Sequence, residues 1–289
     1  GQGDVAGVRI CGMSRRCWIN GIEQTTIAVT DRGLQYGDGL FETLAAFDGV
    51  CPWFAAHYQR LAAGCERLAI PVPDKQVLLR EVQQAAAGQH KAVIKILLTS
   101  GSGGRGYARP AALEPSRVVM QHDWPDYPDS YWQDGVALKL CQTRLACNPT
   151  LAGIKHLNRL EQVLARNEWQ SNEFADGLMC DAQGNVIEGT MSNVFVVRSN
   201  TLYTPSLTAC GIEGVMRRWV LDTAPKFNVE AYEVALSLED IKHADEVILS
   251  NSLIGLWPVK MFESSHYQPG PVYERLIKFL IKKYPLTRS

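Results

Sequence analysis

The sequence has no excess of charge of either sign and no long apolar run. Lys and Arg number 29 and Asp and Glu number 30, so the formal net charge of the 289 residues is −1. A protein this close to neutrality is not expected to bind nucleic acid or an anionic membrane surface through its overall charge. No apolar run approaches the roughly 20 residues that cross a membrane. We therefore expect neither a nucleic-acid nor a membrane partner.

Closely spaced cysteines are also missing. The 8 cysteines form no C-x-x-C pair, and none has a histidine at the spacing of a zinc finger. They are too sparse for a disulfide scaffold. The sequence therefore predicts reduced, mostly buried thiols, a cytoplasmic location and no metal site. P-loop, H-E-x-x-H and G-x-S-x-G motifs are absent as well, which removes the usual signatures of phosphate-cradling loops, zinc proteases and serine hydrolases.

What the sequence does contain is an ordinary globular composition, with 46% hydrophobic and 20% charged residues. Its length predicts about two domains. A stretch rich in Pro and Asp at 121–131 predicts a linker between an N-terminal α/β domain at 13–120 and a C-terminal domain at 132–289. Residues 1–12 lack the apolar core of a signal peptide, and we expect a disordered upstream segment before a native start at Met13.

Apolar periodicity predicts strands and helices that alternate along most of the chain. Hairpins expected around Gly184-Asn185 and Ser199-Asn200, mixed with helices, favour an α+β fold over a doubly wound parallel sheet. The predicted strands are 18–22, 40–47, 92–99, 117–122, 135–141, 177–181, 186–188, 194–198, 201–204, 228–234 and 246–250. The predicted helices are 56–69, 74–88, 155–170 and 273–284, with two more after Gly211 and Ser237. Asp74 is expected to cap the second of these helices, and Ser237 and Asp240 have the spacing of a capping box.

The segment 101–106 (GSGGRG) matches the dinucleotide-binding pattern G-x-G-x-x-G and follows a predicted strand. That pattern requires a helix to begin at the loop, whereas Pro110 and Pro115 disfavour one here. A flexible loop is the simplest interpretation. An alternative is that Arg105 and Tyr107 bind a substrate carboxylate, since Arg offers two parallel donors.

Each of three further features can be interpreted either as a functional group or as an ordinary structural feature. The Gly211 helix start has free amides that suit a phosphate, although many helices begin this way without a ligand. Lys155 is expected to begin a helix, where a cation opposes the macrodipole, and it is either an amine nucleophile or a surface lysine. Glu188 follows strand residues and is either a functional acid or a solvated one.

Taken together, several segments resemble the fold-type-IV pyridoxal-phosphate (PLP) family, and the likeness runs from about Trp18 to Val259. The segment around Lys155 is the most specific. In chain order the matching segments are 31–43 (DRGLQYGDGLFET), 57–61 (HYQRL), 101–107 (GSGGRGY), 151–166 (LAGIKHLNRLEQVLAR), 188–195 (EGTMSNVF), 211–217 (GIEGVMR) and 250–259 (SNSLIGLWPV).

The resemblance implies a two-domain α+β enzyme that binds PLP at the domain interface and forms homodimers. It implies that Lys155 forms the Schiff base and shuttles protons, and that Glu188 pairs with the pyridine nitrogen. The implied phosphate ligands are Arg60, the amides of Ile212 and Glu213, and the Ser252 hydroxyl. Arg105, Tyr107 and Arg159 are the candidates for binding the substrate.

Within the family, the segments 155–162 and 101–107 are most similar to lyases that act on 4-amino-4-deoxychorismate. Such an activity yields 4-aminobenzoate and pyruvate for folate biosynthesis. The alternative is an aminotransferase of D-amino or branched-chain acids, although Leu160 and Phe41 stand where those enzymes usually carry tyrosine. A non-catalytic phosphate-ligand-binding protein that uses only the Gly211 helix start is a second alternative.

Overall fold

The structure is a computed structural model that describes residues 16–286. The predicted upstream segment 1–12 lies outside the described residues. The strands are β1 (Arg16–Ile19), β2 (Ile22–Glu23), β3 (Gly39–Phe47), β4 (Lys91–Thr99), β5 (Ser116–Asp123), β6 (Val136–Leu140), β7 (Asp176–Cys180), β8 (Val186–Gly189), β9 (Asn193–Arg198), β10 (Thr201–Pro205), β11 (Ala231–Val234), β12 (Glu246–Asn251), β13 (Gly255–Phe262) and β14 (Ser265–His266). The α-helices are α1 (Arg32–Tyr36), α2 (Phe54–Leu68), α3 (Lys75–Ala86), α4 (Ser130–Gln133), α5 (Leu160–Arg166), α6 (Val215–Thr223), α7 (Leu238–Lys242) and α8 (Pro271–Ile281), and a 3₁₀ turn spans Ala224–Phe227.

The first sheet has five antiparallel strands in the order β2-β1-β5-β4-β3. Alternate residues of β3 and β4, among them Leu44 and Ile94, are buried in one apolar cluster with residues of α2 and α3. Because successive side chains of a strand point to opposite faces, Phe41, Thr43 and Lys95 lie on the other face. Phe41 and Thr43 on that face line the cavity of the candidate active site.

The second sheet has nine strands, eight in the order β11-β10-β9-β12-β13-β6-β7-β8, with β14 paired to β13. It mixes parallel and antiparallel pairs, and its core packs against α6 and α8. The two sheets together confirm the predicted α+β class. The proposed domain boundaries stay a prediction; β5 ends at Asp123 and β6 begins at Val136.

Local signals in the sequence predicted several elements correctly. Asp74 caps α3 by accepting hydrogen bonds from the amides of Gln76 and Val77, and Ser237 and Asp240 form a capping box on α7. The hairpin between β9 and β10 turns at Ser199-Asn200, whose φ values are +48° and +60°. The hairpin between β7 and β8 is also present.

The predicted helix at 155–170 is wrong over 155–159 and 167–170, because α5 covers only Leu160–Arg166. The backbone of the preceding residues pairs with β3 instead. The Phe41 amide donates to the Lys155 carbonyl at 3.0 Å, and the Leu157 amide donates to the Gly39 carbonyl at 3.1 Å. Lys155 therefore lies on an extended segment at the edge of the first sheet, and the macrodipole argument does not apply to it.

Strand β13 was not predicted because Pro258 interrupts its pattern, and proline is unfavourable inside a sheet. In the structure Pro258 lies opposite Ile248 of β12. In residues 16–286, no helix is long and apolar enough to cross a membrane. The same part of the chain contains no group of three or more His, Cys, Asp or Glu side chains able to hold a metal ion.

Candidate active site

A cavity of about 570 Å³ lies where β3 of the first sheet meets loops of the second. Most residues predicted for the site line this cavity, namely Arg60, Lys155, Arg159, Glu188, Ile212 and Ser252. The cavity is also lined by Phe41 and Thr43 of β3, by Gly214 and Val215 at the start of α6, and by Ser250 near the end of β12. Segments far apart in the chain therefore form one site.

Lys155 extends into the cavity with its Nζ 4.2 Å from the centre of the Phe41 ring. Burial and the positive charges of Arg60 and Arg159 lower the pKa of this amine to about 7, and two carboxylates oppose the shift. Near neutral pH, a large fraction of the amine is therefore uncharged. Such an amine is a nucleophile and a proton acceptor.

Arg60 is held by a buried carboxylate that sequence reasoning missed. Its guanidinium donates to both oxygens of Glu42, and Nη1 donates to the Glu213 carbonyl at 3.0 Å. The Glu42 carboxylate also bonds His57 Nδ1 at 2.7 Å. Although burial opposes ionisation, Arg60 and His57 hold the pKa of Glu42 down to about 2. Arg60 therefore faces the cavity in a fixed orientation.

Glu188 is the second buried carboxylate of the site. It accepts a hydrogen bond from the Ile212 amide at 2.9 Å. Burial raises the pKa of Glu188 to about 7, a shift that the Ile212 bond and the charges of Arg159 and Lys155 oppose. The carboxylate therefore titrates in the same pH range as Lys155.

Asp176 supports the turn that follows Glu188, and the sequence contained no signal for this role. Its carboxylate accepts hydrogen bonds from the Thr190 amide and hydroxyl at 3.0 and 2.6 Å. The Ser192 hydroxyl donates to it at 2.6 Å. The buried network keeps β8 and the residues after Glu188 in place.

At the start of α6, the amides of Ile212 and Glu213, which the resemblance implies as phosphate ligands, both have acceptors within the chain. The Ile212 amide donates to Glu188, and the Glu213 amide donates to the Gly153 carbonyl at 3.2 Å. Within the described chain, the next amides, of Gly214 and Val215, have no acceptor. A side chain at Gly214 would place its Cβ 2.1 Å from Asn193 Oδ1, so glycine is required there.

Ser250 adds an unpaired hydroxyl that the sequence indicates only as part of the matching segment 250–259. The residue is fully buried and lines the cavity. Its Oγ has no hydrogen-bond partner in the described residues. An unpaired hydroxyl, two free amides and the Arg60 guanidinium are chemically able to bind a phosphate.

Arg159 lies between Lys155 and α5. Its Nη2 atom is 2.9 Å from Nε2 of the His156 ring. Burial, followed by the nearby Arg159 charge, lowers the pKa of His156 to about 4, so this ring is neutral near pH 7. The Nε atom of Arg159 is buried without a partner in residues 16–286. Arg159 thus retains a donor for an anionic ligand.

Arg105 and Tyr107 are not part of the cavity. Both are exposed on the loop 101–110, with 85% of Tyr107 accessible. Arg32 anchors this loop by donating to the carbonyls of Gly106 and Tyr107 at 3.0 and 2.8 Å. A long helix is absent after the glycines, as the prolines predicted.

One cavity thus contains an amine with a pKa near neutrality, a buried carboxylate and several unpaired or cationic donors. The sequence profile of the amino-transferase class IV family matches residues 39–262. The chain belongs to this family, whose members depend on PLP.

Individual relatives refine the comparison. An aminodeoxychorismate lyase of Vibrio harveyi is 39% identical over 242 residues, which cover 84% of this chain and 89% of that protein. The crystal structure of 4-amino-4-deoxychorismate lyase from Pseudomonas aeruginosa has 43% identity and a TM-score of 0.90, and it covers 93% of this chain and 99% of that one. A hypothetical aminotransferase from Mycobacterium tuberculosis, solved in a PLP-bound form, shares the fold at 19% identity and a TM-score of 0.79, covering 92% of this chain and 97% of that one.

Proposed function

We propose that this protein is a PLP-dependent carbon–oxygen lyase that converts 4-amino-4-deoxychorismate to 4-aminobenzoate and pyruvate, a step of folate biosynthesis. The observation that carries the proposal is the near-full-length similarity to two lyases of this name. The cavity supports it, because it combines a lysine amine, a buried carboxylate and several cationic groups for a dianionic substrate.

The donors of the cavity fit the cofactor. The Ser250 hydroxyl, the Gly214 and Val215 amides and Arg60 would hold the phosphate. We retain Ser252 as a further hydroxyl donor, whereas the Ile212 and Glu213 amides would first have to leave their present acceptors. When bound, the cofactor supplies an electron sink for negative charge on the substrate carbon next to the amine.

Lys155 would hold the cofactor covalently and act as proton shuttle after the substrate amine has displaced it. With a pKa of about 7, its amine can take the proton from the amine-bearing ring carbon. As the neighbouring carbon–oxygen bond breaks, the same ammonium can return that proton to the leaving enolpyruvate. Aromatisation of the ring favours this elimination.

Glu188 would hold a proton on the ring nitrogen of the cofactor. Its burial and its bond to the Ile212 amide fix the carboxylate in one place. A carboxylate beside that nitrogen favours its protonated form and so increases its electron demand. Arg159 would bind a carboxylate of the substrate through its unpaired Nε. The same role for Arg105 and Tyr107 requires their loop to approach a cavity, in this chain or in a second copy.

We also propose that the protein works as a homodimer in the cytoplasm. Helix α5, next to the cavity, exposes Leu160, Val163 and Leu164 by 69%, 51% and 55%. Contiguous apolar groups of this kind are typical of protein interfaces. Free thiols at Cys17, Cys51, Cys65, Cys141, Cys147, Cys180 and Cys210 suit a reducing compartment. Sedimentation equilibrium should give twice the chain mass, and Leu160→Asp with Leu164→Asp should shift it to one chain.

The direct test of the function is turnover of 4-amino-4-deoxychorismate by the purified holoenzyme without any keto acid. We expect 4-aminobenzoate fluorescence to rise together with an equal amount of pyruvate. A parallel assay offers D-alanine or L-leucine with a keto acid. Amino transfer in that assay, without release of 4-aminobenzoate in the first one, would overturn the proposal in favour of an aminotransferase.

A further inference from the structure

Two cysteines that the proposed function does not use lie against each other in the second half of the chain. The Cys147 and Cys210 thiols are hydrogen-bonded to each other. The backbone beside them is joined as well, because the Asn148 amide donates to the Ala209 carbonyl at 2.9 Å. The fold therefore holds together two thiols that are too far apart in the sequence to form a C-x-x-C motif.

The two thiols differ in their access to solvent. Among the free cysteines that the structure describes, Cys147 is exposed, Cys51 is half-buried and the others are buried. Burial, followed by the neighbouring Cys147 thiol, raises the pKa of Cys210 to about 12. Near neutral pH the Cys210 thiol therefore stays protonated. We expect a reagent from solvent to react with Cys147 first.

Cys210 directly precedes the segment that borders the cavity of the candidate active site. The next residue is Gly211, whose carbonyl accepts from the Gly153 amide at 2.8 Å. A Cβ on Gly211 would lie 3.3 Å from Glu188 Oε2, and the Ile212 amide donates to the same carboxylate. Cys210, Gly211 and Glu188 also line one further cavity, of about 670 Å³. A displacement of Cys210 therefore acts on Glu188 and on the start of α6.

We propose that Cys147 and Cys210 are a redox-active dithiol whose disulfide weakens cofactor binding. The oxidant is a low-molecular-weight disulfide. The Cys147 thiolate attacks one of its sulfurs and expels a first thiolate, which leaves a mixed disulfide on Cys147. The Cys210 thiolate then attacks the Cys147 sulfur and expels the second thiolate. The two cysteines lose two protons and two electrons, and these reduce the small disulfide to two thiols.

Formation of this bond requires movement of the backbone beside the site. A disulfide holds its sulfurs about 2 Å apart, and two hydrogen-bonded thiols are farther apart than that. Cys210 must therefore shift towards Cys147, and the residues that follow it shift as well. The shift disturbs the backbone bond to Glu188 and the position of the free amides of Gly214 and Val215. Disulfides in cytosolic proteins are usually transient and redox-sensing, which suits a reversible loss of cofactor.

The test treats the holoenzyme with glutathione disulfide. A mildly alkaline pH is needed, because Asp181 Oδ2 lies 3.8 Å from Cys147 Sγ and disfavours the thiolate. Peptide mass spectrometry should find Cys147 joined to Cys210, and the thiol count of the denatured chain should fall by two from 8. Titration with PLP should give a dissociation constant raised about tenfold, the value of one lost hydrogen bond to a charged group. Dithiothreitol should reverse both changes.

Three variants sharpen the test. Cys147→Ser should keep the cofactor affinity of the reduced wild type and should not respond to the oxidant. Cys210→Ser should stop at the mixed disulfide on Cys147. Cys51→Ser, which removes a half-buried thiol outside the pair, is the matched control and should respond as the wild type does.

Two results would overturn the inference. One is a wild type that carries glutathione on Cys147 and forms no bond to Cys210. The other is a Cys147–Cys210 bond that leaves the cofactor dissociation constant unaltered. Neither readout involves the substrate, so a failure to turn over 4-amino-4-deoxychorismate would overturn the proposed function alone.

Discussion

Glu42 and Glu188 are both buried, and the charge of each acts on Lys155. Their pKa values are nevertheless shifted in opposite directions. Glu42 has Arg60 and His57 as hydrogen-bonding partners, and its pKa falls to about 2. Glu188 has the Ile212 amide at 2.9 Å and the Asn193 side-chain amide at 3.5 Å, with no guanidinium or imidazole of the described residues bonded to it, and its pKa rises to about 7. Burial is common to both, so the neighbours decide the difference. Glu42 is suited to holding Arg60 in place, and Glu188 is suited to gaining or losing a proton near neutral pH.

The largest effect is expected at Lys155, the group that both glutamates influence. Lys155→Ala removes the amine that attaches the cofactor and moves the proton. We expect turnover to fall below detection while the fold remains intact. The assay is release of 4-aminobenzoate, with Lys139→Ala as control. Measurable turnover by the alanine variant under the same conditions would contradict the role of Lys155.

The next effect separates Glu188 from Glu42 through activity. Glu188→Gln keeps an acceptor for the Ile212 amide but loses the negative charge. We expect kcat to decrease about 10²- to 10³-fold, as for other losses of electrostatic stabilisation in an active site. The melting temperature should change little. A variant with wild-type kcat would show that the Glu188 charge is not needed.

Glu42→Gln should lower the stability of the protein and change kcat little. It leaves the Arg60 guanidinium without its carboxylate in a partly buried place. Breaking a buried ion pair by removing one partner costs about 3–5 kcal/mol of unfolding free energy. Chemical denaturation measures that loss, and cofactor titration should show weaker binding. An unaltered denaturation midpoint would mean that the pair contributes little to stability.

The pH dependence of stability distinguishes the two glutamates by sign. Glu188 is more easily protonated in the folded state, so its contribution weakens the cofactor-free protein as pH rises from about 4.5 to 7. Glu42 is less easily protonated when folded, so its contribution strengthens the protein as pH rises from about 2 to 4.5. The unfolding free energy of Glu188→Gln minus that of the wild type should therefore increase between pH 4.5 and 7, by up to about 3 kcal/mol at 1.36 kcal/mol per pKa unit. The same difference for Glu42→Gln should decrease between pH 2 and 4.5. If both differences changed in the same direction, the two opposite pKa shifts would be contradicted.

The smallest effect concerns Ser250, whose hydroxyl the structure leaves unpaired in the described residues. Ser250→Ala should raise the dissociation constant of the cofactor about tenfold, the value of one hydrogen bond to a charged group. Ser206→Ala, outside the cavity, is the control. Equal cofactor affinities in wild type and Ser250→Ala would remove Ser250 from the phosphate site.

The sequence allowed prediction of most strands, the α+β class and the residues whose spacing carries a local signal, such as the caps at Asp74 and Ser237. Lys155, Glu188 and Arg60 were assigned through resemblance, and they do lie around one cavity. Glu42 was not predicted, because its pairing with Arg60 joins a strand to a helix and has no local pattern. Ser250 and Asp176 matter through burial, which only the packed structure defines. The helix at 155 was wrong because tertiary pairing with β3 outweighed helical periodicity.

The central claim is that Lys155, and not the neighbouring Lys95, carries the chemistry. Both amines lie beside the Phe41 ring, so proximity to that ring does not distinguish them. Reduction of the holoenzyme with borohydride, followed by mass spectrometry of its peptides, tests this directly. The account predicts the phosphopyridoxyl group on Lys155. Finding it on Lys95, or on any other lysine, would contradict the account.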